Sequence, residues 1–162
     1  ILDCLVCDEK TEQASTYIHK LAGIYRYMIK SEDEELVQLR DELVFVNLYV
    51  DLLKVRFPVG FDVKIDIPDE ALARYVLPCS LQLLIENAIK HNTVTENNPL
   101  IINIISDDTN VQVSNNIIPK VTVAQSTGLG QKYIRDQYQD ISGKEIDIIR
   151  TADRYCVTLP LL

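Results

Sequence analysis

The stretch of sequence that decides the fold is residues 80–91, which read Ser-Leu-Gln-Leu-Leu-Ile-Glu-Asn-Ala-Ile-Lys-His. Its apolar side chains recur at positions 81, 84, 85, 88 and 89, the spacing of an α-helix that is buried along one stripe. Asn87 and His91 are four residues apart and therefore project together from one flank of that stripe. Pro78 and Ser80 mark the entry to the helix, with Ser80 as the predicted N-cap, and a polar loop at 93–99 ends it.

The polar residues of this helix are a carboxylate, a carboxamide, an ammonium group and an imidazole, contributed by Glu86, Asn87, Lys90 and His91. Magnesium prefers hard oxygen ligands and usually shares them with a nucleotide, so the Asn87 carboxamide oxygen suits Mg²⁺. The Lys90 and His91 side chains could then reach phosphate oxygens. The alternative interpretation is a solvated helix face that carries a Glu86–Lys90 surface pair.

Residues 77–91, Leu-Pro-Cys-Ser-Leu-Gln-Leu-Leu-Ile-Glu-Asn-Ala-Ile-Lys-His, closely resemble the N-box of the LytS-like sensor histidine kinases, a branch of the GHKL superfamily. Upstream, residues 20–27, 39–43 and 56–57 resemble the segment that joins the phosphoacceptor histidine to the ATP-binding domain in that family. Downstream, Ser-Thr-Gly-Leu-Gly at 126–130 and the helical residues 133–138 are similar to its second glycine box. The resemblance is collinear along almost the whole chain and is therefore more specific than any single motif.

The resemblance implies an ATP-binding catalytic domain at 59–162, preceded at 1–58 by part of a dimerisation stem that lacks the phosphoacceptor histidine. The intact protein would transfer the ATP γ-phosphate to that histidine and then to a response regulator. ATP and Mg²⁺ are the implied cofactors. The implied roles are orientation of the attacking imidazole by Glu86, magnesium binding by Asn87, phosphate contacts by Lys90 and His91, adenine recognition by Asn115 beside Asn116, and closure over the triphosphate by Thr127, Gly128, Leu129 and Gly130.

The chain departs from the family pattern at three points. Asn115 stands where the family has an Asp that accepts a hydrogen bond from adenine, and a neutral carboxamide makes a weaker contact. Gln131 and Tyr133 replace the Leu and Asn that the family prefers. The phosphoacceptor histidine would precede Ile1, and neither His19 nor His91 replaces it. These departures leave open a degenerate GHKL module that signals through its stem, and more remotely a GHKL ATPase.

Periodicity divides the chain into a helical part and a mixed part. Apolar residues at three- and four-residue spacings over 14–28 and 36–57 predict two helices joined by a turn at 31–34. This hairpin could dimerise through its remaining apolar seam or pack within one monomer. Strands are expected at 61–67, 100–106, 110–115, 144–150 and 154–159, and helices at 69–75, 80–92 and 129–139. The expected fold is α+β, a two-layer α/β sandwich of the GHKL (Bergerat) type after a two-helix stem.

Composition limits the partners. The 162 residues carry a formal net charge of −8, which argues against a nucleic-acid surface and requires any ATP site to be locally basic. No run of 18 apolar residues occurs, so no segment of this sequence is expected to span a bilayer. The resemblance implies the cytoplasmic domain of an inner-membrane-anchored protein whose membrane segments lie upstream. The first residue is not Met, which is expected of a fragment. Cys4, Cys7, Cys79 and Cys156 lack a second Cys-x-x-Cys pair and are expected to be reduced thiols.

Overall fold

The computed structural model of the chain describes residues 1–120 and 129–162. Its α-helices are α1 Leu2–Cys7, α2 Thr11–Ser31, α3 Leu39–Arg56, α4 Ser80–His91 and α5 Leu129–Ser142. Its strands are β1 Val37–Gln38, β2 Phe61–Asp66, β3 Tyr75–Val76, β4 Leu100–Ser106, β5 Asn110–Asn116, β6 Asp147–Arg150 and β7 Arg154–Pro160. No helix among these residues is both long and apolar enough to cross a bilayer.

Helices α2 and α3 form the predicted hairpin stem. The Tyr27 ring of α2 stacks on the Phe45 ring of α3, with centroids 4.3 Å apart and planes 10° from parallel. The Lys20 ammonium group lies 2.6 Å from the Asp51 carboxylate on the solvent-exposed side of the pair. The heptad spacing read from the sequence therefore does bring the two helices together.

The main sheet has the strand order β2-β4-β5-β7-β6, in which β2 and β4 are parallel and the other neighbours are antiparallel. One face carries a nearly solvent-free apolar layer made of Ile102, Ile104, Val111, Val113, Val157 and Leu159. Helices α4 and α5 cover this face with their own buried residues, among them Leu81, Ile85 and Ile134. Side chains alternate between the two faces of a strand, so one face forms the core and the other meets solvent. The two-layer α+β prediction is confirmed.

The predicted helix at 69–75 is confirmed only in part, because it is a short 3-10 helix. A single 3-10 turn occupies Asp69–Ala73, and the chain then extends into β3, which pairs antiparallel with β1. The backbone N–H of Tyr75 donates to the Leu162 carbonyl at 2.9 Å, and the Leu162 N–H donates back at 3.0 Å. These contacts with distant parts of the chain satisfy the backbone in an extended conformation, and local helix propensity does not prevail over them.

The entry to α4 also differs from the prediction. The N-cap is Cys79, in the left-handed conformation with φ of 59°, and Ser80 is the first helical residue. The Ser80 hydroxyl is buried and has no hydrogen-bond partner among the described residues. The free N–H groups at this helix end bond instead to the Glu42 carboxylate of α3.

Candidate functional site

Helix α4 presents the flank that its sequence predicts. Leu81, Leu84, Ile85 and Ala88 are at most 4% exposed and pack into the core. Asn87 is half-buried at the edge of this apolar stripe, and Lys90 and His91 are exposed beyond it. The burial of the stripe therefore holds the polar side chains at the rim of the domain, where a ligand could reach them.

Glu86 is exposed and is held by a residue of the stem. The Tyr49 hydroxyl of α3 donates a hydrogen bond to Glu86 Oε1 at 3.1 Å. Burial of the phenol, together with the neighbouring Glu86 charge, raises the pKa of Tyr49, so Tyr49 stays protonated and remains a donor at neutral pH. The sequence analysis missed Tyr49 because it lies 37 residues away from Glu86.

Asn92 ends the helix and joins it to the chain that follows β5. Its side chain is 4% exposed. The Nδ2 group donates to the Ala88 carbonyl at 2.8 Å, and Oδ1 accepts from the backbone N–H of Ile118 at 2.7 Å. Asn92 therefore sets the position of the C-terminal end of α4 relative to residues 117–120. From the sequence, Asn92 was expected only as the last residue of the helix at 80–92, with no binding or structural role.

Basic side chains gather around His91. The Lys120 ammonium group donates to the Ile89 carbonyl at 2.9 Å, which holds Lys120 against the last turn of α4. Partial burial lowers the pKa of His91, and the positive charges of Lys90, Lys120 and Arg150 lower it further. His91 is therefore neutral at pH 7 and lies among three cations. A chain with a net charge of −8 is thus locally basic here, as an ATP site requires.

We call Lys90, His91, Lys120 and Arg150 the basic corner. Arg150 belongs to a row of residues that runs across three strands. Asn115 of β5 lies opposite Tyr155 of β7, which in turn lies opposite Arg150 of β6. Directly paired residues share one face of a sheet, and Asn115 lies two positions from the core residue Val113. The row therefore faces the helices, and the Gln131 side chain of α5 donates a hydrogen bond to the Tyr155 hydroxyl.

The two asparagines at the end of β5 differ in their surroundings. Asn115 is 4% exposed, and its Nδ2 group donates to the Asn116 carbonyl at 2.6 Å. Asn116 points to the opposite face of the sheet, where its Oδ1 accepts from the Ile101 N–H at 2.8 Å and its Nδ2 donates to the Pro99 carbonyl at 2.9 Å. Asn116 thus uses its side chain to hold the start of β4.

Comparisons with known proteins agree with this architecture. Residues 1–61 match the family model described as histidine kinase. The sensor protein LytS of Bacillus cereus is 35% identical over 86 residues, which are 53% of this chain and 15% of that protein. The sensor histidine kinase BtsS of Escherichia coli K12 is 39% identical over 83 residues, again covering 51% of this chain and 15% of the relative. Over about half of its length the chain is therefore similar to LytS-like sensor histidine kinases. It spans about 15% of the length of these relatives.

Solved structures place the fold of this LytS-like chain among histidine kinase catalytic domains. The nucleotide-free catalytic domain of ThkA matches with a TM-score of 0.52 at 19% identity, covering 77% of this chain and 97% of ThkA. The cytoplasmic segment of QseC matches with a TM-score of 0.52 at 13% identity and covers 91% and 92% of the two chains. At these identities the likeness concerns the fold alone.

Only part of the LytS-like glycine box lies within the described residues. Thr127 and Gly128 lie outside them, and so does the side chain of Leu129. Gly130 lies in the first turn of α5, where a Cβ would meet Leu83 Cδ2 at 3.7 Å, an ordinary contact. Gly130 therefore has no steric reason of its own to be glycine.

Tyr133, which replaces the usual Asn of the LytS-like kinases, lies beside the stem. It lines a cavity of about 650 Å³ with Tyr25 and Met28 of the stem and with the turn before α4. Asn87 lines neither this cavity nor a smaller one of about 350 Å³ beside α2 and α3.

Proposed function

We propose that this chain is the ATP-binding catalytic portion of a LytS-like sensor histidine kinase, with part of its dimerisation stem. The observation that carries the proposal is the basic corner at the end of α4, where Lys120 donates to the Ile89 carbonyl and the charges of Lys90, Lys120 and Arg150 all lower the pKa of His91. Clustered cations in an acidic protein favour an anionic ligand, and a triphosphate supplies several negative oxygens. The family resemblance gives the same ligand.

Asn87 is the residue proposed to hold Mg²⁺. Among the described residues no group of three His, Cys, Asp or Glu side chains could hold a metal ion. A single carboxamide oxygen fits a magnesium ion that takes its remaining ligands from phosphates and water. When bound, the ion would neutralise charge on the β- and γ-phosphates.

Glu86 is proposed to orient the attacking imidazole of a phosphoacceptor histidine outside this chain. It is exposed at the rim beside Asn87, and the Tyr49 hydroxyl restricts its carboxylate. A carboxylate that accepts the imidazole N–H leaves the second ring nitrogen free for attack on the γ-phosphate. Phosphoryl transfer on to a response regulator follows from the family.

Asn115 is proposed to read adenine. Its Nδ2 group already donates to the Asn116 carbonyl, which leaves Oδ1 to accept a hydrogen bond from the adenine amino group. A neutral acceptor makes a weaker bond than the family's carboxylate, so we expect weaker nucleotide affinity than an Asp would give. Thr127, Gly128, Leu129 and Gly130 remain proposed contacts of the triphosphate. For Asn116 the described contacts support a structural role.

The stem is proposed to form a homodimer. Ile18, Tyr25 and Ile29 of α2 are between 49% and 69% exposed and recur at spacings of seven and four residues. This spacing forms an apolar seam that a second copy of the hairpin would bury. In the intact protein we place this portion on the cytoplasmic side, attached to the membrane through segments outside this chain.

A degenerate signalling module is the second candidate function. Asn115 lacks the charge of the usual Asp, and the hydroxyl beside it, that of Tyr155, is already bonded to Gln131. Such a module would keep the contacts between the stem and α4 but would have no use for the basic corner.

Calorimetric titration of this chain with a non-hydrolysable ATP analogue, in Mg²⁺ and in EDTA, separates the two functions. The kinase proposal expects binding that Mg²⁺ strengthens, and it expects Asn87→Ala to remove this strengthening, a loss of about tenfold or more. Asn97→Ala in the exposed loop after α4 is the matched control and should bind as the unmodified chain does. Equal affinity in Asn87→Ala would remove Asn87 from the site, and the absence of any heat from the unmodified chain would favour the degenerate module.

A further inference from the structure

A fully buried carboxylate lies at the beginning of α4. Glu42 of α3 has 0% exposure. Its Oε2 accepts a hydrogen bond from the backbone N–H of Cys79 at 2.9 Å, and its Oε1 accepts one from Leu81 at 3.1 Å. The first N–H groups of a helix have no partner within the helix, and a negative group near them is favourable. Glu42 therefore serves as the cap of a helix that lies 37 residues further along the chain.

The second helix of the stem reaches the same carboxylate. The Tyr27 hydroxyl of α2 donates to Glu42 Oε2 at 2.5 Å, while the Tyr27 ring is stacked on Phe45. The phenol is thus held in place by packing as well as by its hydrogen bond. Glu42 joins three elements at one point, namely both helices of the stem and the first turn of α4.

No local side chain replaces this cap within the described residues. The Ser80 hydroxyl is buried without a hydrogen-bond partner, and α4 has no capping bond from its own N-cap side chain. A buried polar group without a partner is costly, so the two N–H groups depend on Glu42. If the carboxylate moves with the stem, the first turn of α4 must follow it or lose these bonds.

We propose that Glu42 is a positioning residue, which holds the helix that carries Asn87 and His91 in its nucleotide-binding orientation and makes that orientation depend on the stem through Tyr27. The inference rests on the proposed function of α4. Glu42 does not touch the nucleotide, and it acts by keeping the binding-competent position of α4 populated. When the competent fraction falls, the apparent affinity falls by the same factor.

The test uses two variants of this chain and two matched controls. Tyr27→Phe removes the hydroxyl of the stem and keeps the ring stacked on Phe45. Glu42→Gln keeps the shape of the side chain. Its carboxamide has a single oxygen, and its NH₂ group cannot accept a hydrogen bond, so the three bonds cannot all be kept. Tyr25→Phe and Glu12→Gln, both exposed on α2, make the same chemical changes away from the contact.

Two quantities are measured for each variant. The first is the dissociation constant of the Mg²⁺–ATP analogue by calorimetry. The second is hydrogen exchange of the Cys79 and Leu81 amides, compared with amides in the β4–β5 ladder, which report on the whole fold. We expect about threefold weaker binding in Tyr27→Phe and about tenfold weaker binding in Glu42→Gln, each with faster exchange at the start of α4 alone. Both controls should match the unmodified chain.

Either measurement can overturn the proposal. Unchanged affinity in Tyr27→Phe, with faster exchange of Cys79 and Leu81, would reduce Glu42 to a purely structural cap. Unchanged exchange in Tyr27→Phe would show that the stem does not hold the first turn through Glu42. If the unmodified chain binds no nucleotide, the proposed function fails and the positioning role fails with it, while the exchange data still decide whether the stem holds α4. If Glu42→Gln does not fold, Tyr27→Phe still provides the comparison.

Discussion

The contribution of Glu42 to stability is expected to fall as the pH rises from 5 to 8. Burial raises the pKa of Glu42 from 4.5 to about 7, against the opposing effect of hydrogen bonds from Tyr27, Cys79 and Leu81. Between these two pKa values the folded chain binds a proton that the unfolded chain has released. Because unfolding then releases a proton, the free energy of unfolding decreases with increasing pH. The contribution is complete below pH 4.5 and is lost as the pH passes through about 7.

The magnitude follows from the two pKa values. The difference between 4.5 and about 7 corresponds, at about 1.4 kcal/mol for each unit of pKa, to a total of about 3.5 kcal/mol. This is a substantial share of the roughly 5–15 kcal/mol that stabilises a typical domain. The effect should therefore be visible as a shift of the denaturation midpoint.

Among the described residues, the other titratable groups whose pKa responds to Glu42 do not change charge in this range. Burial raises the pKa of the Cys79 thiol to about 11. Burial also raises the pKa of the Tyr27 and Tyr138 phenols, and the Glu42 charge raises both further. These groups stay neutral from pH 5 to 8, so a change in stability that depends on Glu42 reports its own proton.

The assay is urea denaturation followed by circular dichroism at pH 5, 6, 7 and 8, for the unmodified chain and for Glu42→Gln. Glutamine does not titrate, so the stability of the unmodified chain relative to the variant should fall by about 2.5 kcal/mol over this range. Asp41→Asn, at the exposed neighbouring position, should show no comparable trend. If the free energy of unfolding of the unmodified chain relative to Glu42→Gln stays constant, or grows with pH, the three hydrogen bonds keep the Glu42 carboxylate ionised in the folded chain. That result would refute the reasoning.

Two further predictions concern the other end of α4. Asn92→Ala removes two buried side-chain hydrogen bonds and should lower the free energy of unfolding, measured in urea, by about 2–3 kcal/mol. The control Asn97→Ala should leave the free energy of unfolding unchanged. An equal effect of both substitutions would contradict the role of Asn92 in joining α4 to Ile118. Lys120→Ala removes a positive charge near His91 and should raise the pKa of the His91 imidazole in an NMR titration. Lys64→Ala, at an exposed position on β2, should leave this pKa unchanged. An unchanged pKa of His91 in Lys120→Ala would place Lys120 outside the basic corner.

Elements with a strong local period were predictable from the sequence. The apolar run at 100–106 gave β4 with the bounds that the structure has, and a three-to-four spacing gave α2, α3 and α4 within a few residues. The predicted strand at 144–150 begins only at Asp147, after Gly143, which has φ of 66°. These features depend on near neighbours in the chain, so a single sequence contains most of the information.

Contacts between distant residues were not predictable in this way. The capping of α4 by Glu42 and the contact of Tyr49 with Glu86 each span 37 residues. One signal was nevertheless present. Glu42 lies on the apolar stripe of α3, three residues after Leu39 and one before Leu43, and a charged residue at such a position needs a buried partner. The helix was predicted from the apolar residues of that stripe, and the charged Glu42 was not considered.

The site was predicted along one helix and missed across the sheet. The flank of Asn87 and His91 follows from a spacing of four residues within α4. Arg150 and Tyr155 share a row with Asn115 only because β5, β7 and β6 pair in one register, and a pairing register has no local signature in the chain. Lys120 reaches α4 through its bond to the Ile89 carbonyl, 31 residues away. For the same reason the separate role of Asn116 on the opposite face became clear only from the structure.

The basic corner is what separates the two candidate functions. A module that signals through its stem needs Glu42 and Tyr49, because these residues join the stem to α4. It has no need to keep three cations around His91, where each positive charge repels the others and keeps the imidazole neutral. That repulsion is unfavourable in the unliganded chain and is relieved when an anion binds. The chain has both features, and a nucleotide-binding helix whose position depends on the stem requires both.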